Sequence, residues 1–278
     1  MDLYNTTTFE CSKLITEYYS TSFTLGIKTL DKRFHFPIYA IYGFVRYADE
    51  IVDTFHGFDK KALLNTFRTD TFKAIDEKIS LNPVIHSFQM VVNEYQIDHD
   101  LIKAFLHSME MDLYQSEYNQ VGYEEYIYGS AEVVGLMCLR VFCEGNNEMY
   151  QALKDDARSL GSAFQKVNFL RDLKHDYETL GRIYFPGINF SSLTNENKKQ
   201  IVAEIEADFE EAFKGILQLP VEAKFGVYTA FRYYRSLMNK ISKTQPEEFL
   251  NARIRISNPL KLVILSKSYL RYQFNIIA

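Results

Sequence analysis

The sequence predicts an all-α fold, and three observations carry that expectation. Its 278 residues include only 12 glycines and 6 prolines, whereas turn-dense β-sandwiches and barrels need such residues at every hairpin. Apolar residues recur with a helical period over most of the chain, between recognisable caps, and no repeat of about 20 to 50 residues interrupts them. The apolar share is 47% and the charged share 24%, which fits a globular chain with a substantial core and excludes a disordered or fibrous one. Residues 1–278 are read as one domain.

The elements follow in order. A first helix runs from about Thr8 to Tyr19 and stops at the hydroxyl cluster Ser20, Thr21, Ser22 before Phe23. A second starts near Pro37 and carries Tyr39, Tyr42, Arg46, Asp49 and Asp53 towards Gly57. Asp59 is placed as the N-cap of a polar helix reaching Ser80, Pro83 in the first turn of the next, and Asp98 at the start of another through Glu117. Tyr123 to Cys143 is the most apolar long stretch, and its Gly129, Ser130, Ala131 and Gly135 allow a helix or a ligand close to the backbone. A long helix follows from about Met149 to Tyr177, and Gly181 to Asn195 is a non-helical excursion too apolar for a flexible linker. Helices then span Glu196 to Leu217, Pro220 to Ile241 and, with Asn258 as cap and Pro259 at its first position, the stretch to about Asn275.

Charge and cysteine usage narrow the function classes. A net charge of -5 argues against a sequence-independent grip on nucleic acid, which needs a basic footprint. Cys11, Cys138 and Cys143 form no CxxC pair, so neither a zinc site nor a disulfide framework is expected and a reducing cytoplasm fits best. No basic leader with an apolar run opens the chain, and no stretch approaches about 18 to 20 uninterrupted apolar residues, which leaves peripheral contact with the inner face of a membrane as the open membrane role. The 22 Phe and 20 Tyr, without any Trp, leave room for an aromatic-lined pocket beyond the core.

Two acidic stripes carry the chemistry. Asp49 and Asp53 lie four apart, so on a helix their carboxylates sit one turn apart on one face, with Arg46 three residues before Asp49. Tyr39, Ile41, Phe44, Val45, Ile51 and Val52 make that helix apolar around most of its girth, where like charges repel unless a cation sits between them. In the second stripe Gln165, Asn168, Asp172 and Asp176 fall on one continuous face. All are hard oxygen donors suited to Mg²⁺ or Mn²⁺ rather than zinc, and the spacing is not that of an EF-hand. Mg²⁺ is usually held by one or two carboxylates, water and phosphate oxygens. Facing stripes of this kind can clamp ions around a diphosphate, with Arg46 and Arg171 on the remaining oxygens and Arg182 nearby. The implied chemistry is ionisation of a diphosphate leaving group.

At these stripes the sequence resembles the squalene/phytoene synthase family, the head-to-head prenyl synthases. The first aspartate-rich motif appears as Arg46-Tyr47-Ala48-Asp49-Glu50-Ile51-Val52-Asp53, and the second as Gln165 to Asp176 followed by Gly181-Arg182-Ile183-Tyr184-Phe185-Pro186. Ser20 to Phe23, Tyr42 to Arg46, Gly129 to Gly135, and Arg253 to Ser257 with Lys261 and Leu262 add matches in the family's order, most like its bacterial phytoene synthases. Glu50 stands where many relatives have Asp, and Glu132 where the family commonly has Gly.

The resemblance implies an isoprenoid synthase fold around a central cavity. It further implies Mg²⁺-dependent condensation of two geranylgeranyl diphosphates through prephytoene diphosphate to phytoene, a step of carotenoid biosynthesis that needs no NADPH. It puts metal binding on Asp49, Asp53, Asn168 and Asp172, with Asp176 as a further catalytic carboxylate. Substrate contacts fall on Ser20, Thr21, Ser22, Tyr42, Arg46, Gln165 and Arg171, and Phe23 is a candidate for stabilising the cation. The implied partners are prenyl diphosphates, a membrane surface and a downstream desaturase receiving the product. The alternatives are a squalene or dehydrosqualene synthase acting on farnesyl diphosphate, another helical prenyltransferase or terpene cyclase, and a non-catalytic scaffold subunit. Intact charges on both stripes speak against the last, since a retired site has no need of mutually repelling carboxylates on an apolar helix.

Overall fold

The computed structural model describes residues 1–188, 193–245, 248 and 254–274. Among them there is no strand, and twelve α-helices are present: α1 Asp2–Tyr19, α2 Thr21–Ile27, α3 Lys32–Asp53, α4 Lys60–Glu77, α5 Pro83–Tyr95, α6 His99–Tyr114, α7 Gln120–Ile127, α8 Val133–Cys143, α9 Asn147–His175, α10 Asn195–Gln218, α11 Val221–Lys243 and α12 Asn258–Gln273. Several starts follow from the capping residues read in the sequence. Asp59 accepts from the Ala62 N–H at 2.9 Å and Asp98 from that of Asp100 at 2.9 Å, and Pro83 occupies the first turn of α5 behind the Asn82 cap.

Other boundaries differ for identifiable reasons. Ser20 closes α1 and caps α2, accepting from the Phe23 N–H at 3.2 Å, so the hydroxyl cluster marks a corner between two helices rather than an end. α3 starts at Lys32 behind the Asp31 cap, five residues before Pro37, which is accommodated inside the helix. Proline there only removes the bond to the Arg33 carbonyl. Ser257, not Asn258, is the N-cap residue of α12, without a side-chain capping bond, and Asn258 already belongs to the helix. The expected end near Asn275 and the motif residue Arg253 lie outside the described residues.

Two π-helical turns are set into the long helices. One, Tyr128–Glu132, joins α7 to α8; the other, Asp176–Leu180, extends α9 and ends at Gly181 in the left-handed region, φ 67°. The excursion beyond Gly181 is pinned at once, because the Ile183 N–H donates to the Ser116 carbonyl at 2.8 Å beside an isolated Glu117–Ile183 bridge. That tether carries Arg182 to the end of α6.

The core falls into two apolar clusters. In the first, Phe44 of α3 stacks on Phe88 at 3.8 Å between ring centroids and meets Phe67 and Phe105. The second gathers Phe169, Phe209, Phe231 and Leu237 from α9, α10 and α11. α9 crosses close to the first π turn, where a Cβ added at Gly161 would stand 2.6 Å from the Ala131 carbonyl, and one at Gly129 would stand 2.6 Å from that of Ala104. The small residues of this stretch therefore serve helix approach, while Ser130, Ala131 and Gly135 also line the cavity described next. Gln120–Cys143 is long and apolar enough to cross a membrane, with mean hydropathy 1.3, yet 56% of that stretch is buried within the protein.

Candidate active site

A cavity of about 510 Å³ lies between the two clusters. On α9 it is lined from Leu153 to Arg171, about 27 Å of helix at about 1.5 Å per residue. The lining positions Leu153, Asp156, Ala157, Leu160, Gly161, Phe164, Gln165, Asn168 and Arg171 step by three and one, the signature of one helix face. On α3 the same rhythm presents Ile38, Ile41, Tyr42, Val45, Arg46 and Asp49. Apart from Asp156, apolar side chains give way to polar and charged ones towards the C-terminal end of both helices, and one end of an oily chamber becomes ionic.

At that end Arg46 stands 3.8 Å from Asp49, pairs closely with Glu50, and lies 4.4 Å over the Tyr19 ring. Burial opposes ionisation of Glu50, but Arg46 and the Thr54 hydroxyl, at 2.7 Å, hold its carboxyl below the usual range. Glu50 is thereby committed to Arg46. Asp49 has no such close partner. Burial first, then the neighbouring Asp53, push its pKa up to about 8 against the pull of Arg46.

On α9, Gln165 donates to the Ser130 hydroxyl at 3.2 Å, and the Asn168 carbonyl oxygen accepts from Tyr234 at 3.3 Å. Arg171 grips Asp172 with Nε 3.1 Å from Oδ1 and Nη2 2.5 Å from Oδ2. Asp176 is also raised to about 8, by burial and then by Asp172, with Asp53 contributing from across the site. The two stripes meet through Arg182, whose backbone N–H donates to the Asp176 carbonyl at 2.8 Å while its guanidinium reaches Asp53 at 2.8 Å. Asp53, Asp172 and Asp176 stand outside the cavity lining, around its charged end.

The sequence places Arg182 beside the second stripe, but it does not reveal Asp112, the buried carboxylate on which Arg182 rests while it ties the stripes together. Arg182, only 7% exposed, reaches Asp53 at 2.8 Å and Asp112 at 3.4 Å and also donates to the Asp112 carbonyl at 3.2 Å. Asp112, 3% exposed, accepts from the hydroxyls of Tyr126 at 2.8 Å, Tyr118 at 3.3 Å and Tyr184 at 3.4 Å. Burial raises its pKa to about 6, against Arg182 and these hydroxyls. Asp112 had no signal beyond its place in the helix after Asp98; its partners arrive by tertiary packing.

Of the remaining expected residues, Ser20, Ser22, Phe23 and Tyr42 line the cavity, with the Phe23 and Tyr42 rings 5.3 Å apart. Burial raises the Tyr42 phenol to about 12. Thr21 is exposed and off the lining, and its hydroxyl accepts from Lys261 at 2.9 Å. Glu132 turns to Arg158, 2.7 Å away, and leaves the wall to its small neighbours. Cys138 lines the cavity with its thiol raised to about 12 by burial, which makes it an inert filler.

The donor set suits a hard divalent cation. Among the described residues no three His, Cys, Asp or Glu side chains converge into a protein-only cage. Instead, under-neutralised carboxylates face one another across a gap, the arrangement for an ion that completes its shell with water and phosphate oxygens. The titrations give this a measurable form. A carboxyl whose folded pKa is raised favours folding below its unfolded value near about 4, and that contribution is lost as pH climbs to the folded pKa. Without divalent cation the thermal midpoint should therefore fall as pH rises from about 4 to 8. Mg²⁺ should restore it more at about pH 8 than at about pH 5, because it competes with protons for the same oxygens. Unfolding scans with and without Mg²⁺ check this; an equal effect at both pH values would contradict it.

The helical body, with an apolar chamber closed by opposed acidic helices, is an isoprenoid synthase fold. It superposes on a solved dehydrosqualene synthase in complex with ligand at TM-score 0.82 and 25% identity, over 96% of this chain and 98% of that one. A squalene synthase from Alicyclobacillus acidocaldarius shares the fold at TM-score 0.74 and 18% identity, over 84% and 92% of the two chains. The family model for squalene/phytoene synthases matches residues 16–259, and the chain belongs to that family. Its relatives include 15-cis-phytoene synthase of Synechocystis sp., 28% identical over 95% of this chain and 85% of the relative, and chloroplastic phytoene synthase 2 of Solanum lycopersicum, 27% identical over 94% and 89%.

Proposed function

We propose that the chain is a prenyltransferase that joins two geranylgeranyl diphosphates head to head and releases phytoene without a reductant. The observation that carries the reading is the pair of facing carboxylate stripes, Asp49 with Asp53 and Asp172 with Asp176, at the ionic end of an apolar cavity. Relatives named phytoene synthase support the choice of substrate.

In this reading Asp49, Asp53, Asn168 and Asp172 hold the divalent ions, with Asp176 beside them. Bound there, Mg²⁺ or Mn²⁺ supplies positive charge to the departing diphosphate. Arg46 and Arg171 take further diphosphate oxygens, and Ser20, Ser22, Tyr42 and Gln165 orient the head group from the cavity wall. Thr21 is the weakest of the expected contacts, because its hydroxyl is turned towards Lys261. Loss of the first diphosphate leaves an allylic cation, which the double bond of the second substrate captures as a cyclopropyl diphosphate. A second ionisation, rearrangement and proton loss complete the product. The apolar lining keeps water from quenching these cations, and the Phe23 face can stabilise one by about 0.5 to 2 kcal/mol. The hydrocarbon then passes to a membrane or to a downstream desaturase.

A second reading, condensation of farnesyl diphosphate to dehydrosqualene or squalene, is favoured by the likeness to the dehydrosqualene synthase. Product analysis by mass spectrometry with each substrate, Mg²⁺, and NADPH present or omitted decides between them. Phytoene from geranylgeranyl diphosphate without NADPH is the expected result. Turnover of farnesyl diphosphate alone moves the assignment to the second reading, and turnover of neither favours a scaffold role.

A further inference from the structure

One lining residue of the chamber is out of keeping with its surroundings. Asp156 lies on α9 about 22 Å of helix from Arg171, at about 1.5 Å per residue, and so near the end opposite the ionic one. Between it and Gln165 the α9 wall is Ala157, Leu160, Gly161 and Phe164, and Leu153 continues the apolar lining one turn deeper. A hydrocarbon tail gains with every carbon it lays on such a wall. Against a carboxylate it gains nothing and displaces the water that the charge needs.

The packing of α9 on α10 holds the carboxylate in this place. A Cβ added at Gly215 would stand 2.3 Å from the Asp156 Cβ and 2.7 Å from its Oδ2, so Asp156 lies against bare backbone of α10 that only glycine provides. Lys214, the cation beside it, pairs with Glu211. Among the described residues the Asp156 carboxylate takes part in no ion pair or hydrogen bond. It is half-buried, and burial, then Glu211, raise its pKa against the pull of Lys214. With no protein partner of its own, this charge depends on water at the deep end of the chamber.

We propose that Asp156 sets the upper limit on the length of the prenyl tail. A tail can fill the chamber as far as this carboxylate, and one that runs past it strips the charge of water. The limit is thus electrostatic, where a bulky apolar side chain would have made it steric. The inference rests on the reading that prenyl diphosphates occupy the chamber, and it holds for the farnesyl and the geranylgeranyl alternative alike.

Calorimetric binding of saturated n-alkyl diphosphates of rising length to the full chain, with Mg²⁺ present, tests this without requiring turnover. In wild type each added methylene should tighten binding roughly fourfold while it lies on apolar wall, and the gain should stop at the length that reaches Asp156. Asp156→Leu keeps the branched outline and removes the charge. There the gain should continue, so that the longest tails bind roughly tenfold or more tighter than they do to wild type. Asp156→Asn, polar but uncharged, should fall between the two. The stopping length is read within each protein, so a general loss of affinity or of folded protein does not imitate the shift. Turnover should follow, with the ratio of kcat/KM for geranylfarnesyl over farnesyl diphosphate rising roughly tenfold in Asp156→Leu. The same stopping length in all three proteins, or a wild-type gain that continues through every length, overturns the role of Asp156 and leaves the prenyl diphosphate reading intact. Absence of binding at any length removes both.

Discussion

Replacing Asp49 or Asp172 with alanine should lower kcat by roughly 10²- to 10³-fold, the cost of removing a group that stabilises charge in the transition state. Asp49 has the stronger case. It lines the cavity, it lacks the close arginine pairing that occupies Glu50, and its pKa of about 8 records how poorly the unliganded protein accommodates its charge. A side chain that costs the resting protein stability makes sense where a cation and a diphosphate later relieve it. The Asp49→Ala protein should therefore lose activity while unfolding at the same temperature as wild type or higher at about pH 8. Steady-state kinetics with Mg²⁺ and thermal unfolding of the same preparations give both numbers. Full activity in either alanine variant would sink the assignment of these carboxylates to metal binding.

Asp112→Ala should be the most damaging single change to stability, by about 3–5 kcal/mol, the range for stripping one partner from a buried ion pair. Arg182 would keep Asp53, but its Nε would lose the carboxylate that holds it inside, and three phenols would lose their acceptor. Asp112→Asn retains an acceptor oxygen and should cost less. Combining Asp112→Ala with Arg182→Ala should cost less than the two single changes added, because the pair acts as a unit. Denaturant unfolding of the four proteins measures this. A loss below about 1 kcal/mol for Asp112→Ala, the level of an exposed pair, would show that the cluster is not the keystone its burial suggests.

The charged face of each long helix could be read directly from spacing. Asp49 and Asp53 on α3, and Gln165, Asn168, Asp172 and Asp176 along α9, needed only helical periodicity, since residues three and four apart share a side. The caps at Asp59 and Asp98 were equally local. What the sequence hid was non-local or too short to show a period. α2 has seven residues, less than two turns beyond its Ser20 cap. The π turns alter the bonding of five residues each without changing their composition. The Asp112 cluster gathers side chains from α6, α7 and the segment after Gly181, and nothing near Asp112 in the chain announces Arg182 or Tyr184.

The Arg182 contacts also set the order in which the protein becomes competent. Asp53 and Arg182 are separated by 129 positions, and Arg182 and Asp112 by 70. Individual helices can form early and locally, but closing loops of that length comes late in folding. The ionic end of the chamber is therefore among the last features to exist, and a partly folded chain presents loose carboxylates instead of a site. In the proposed reading, a diphosphate bridging both stripes would bind only the finished molecule, so substrate would act as a mass-action clamp on the folded state as well as the thing to be converted.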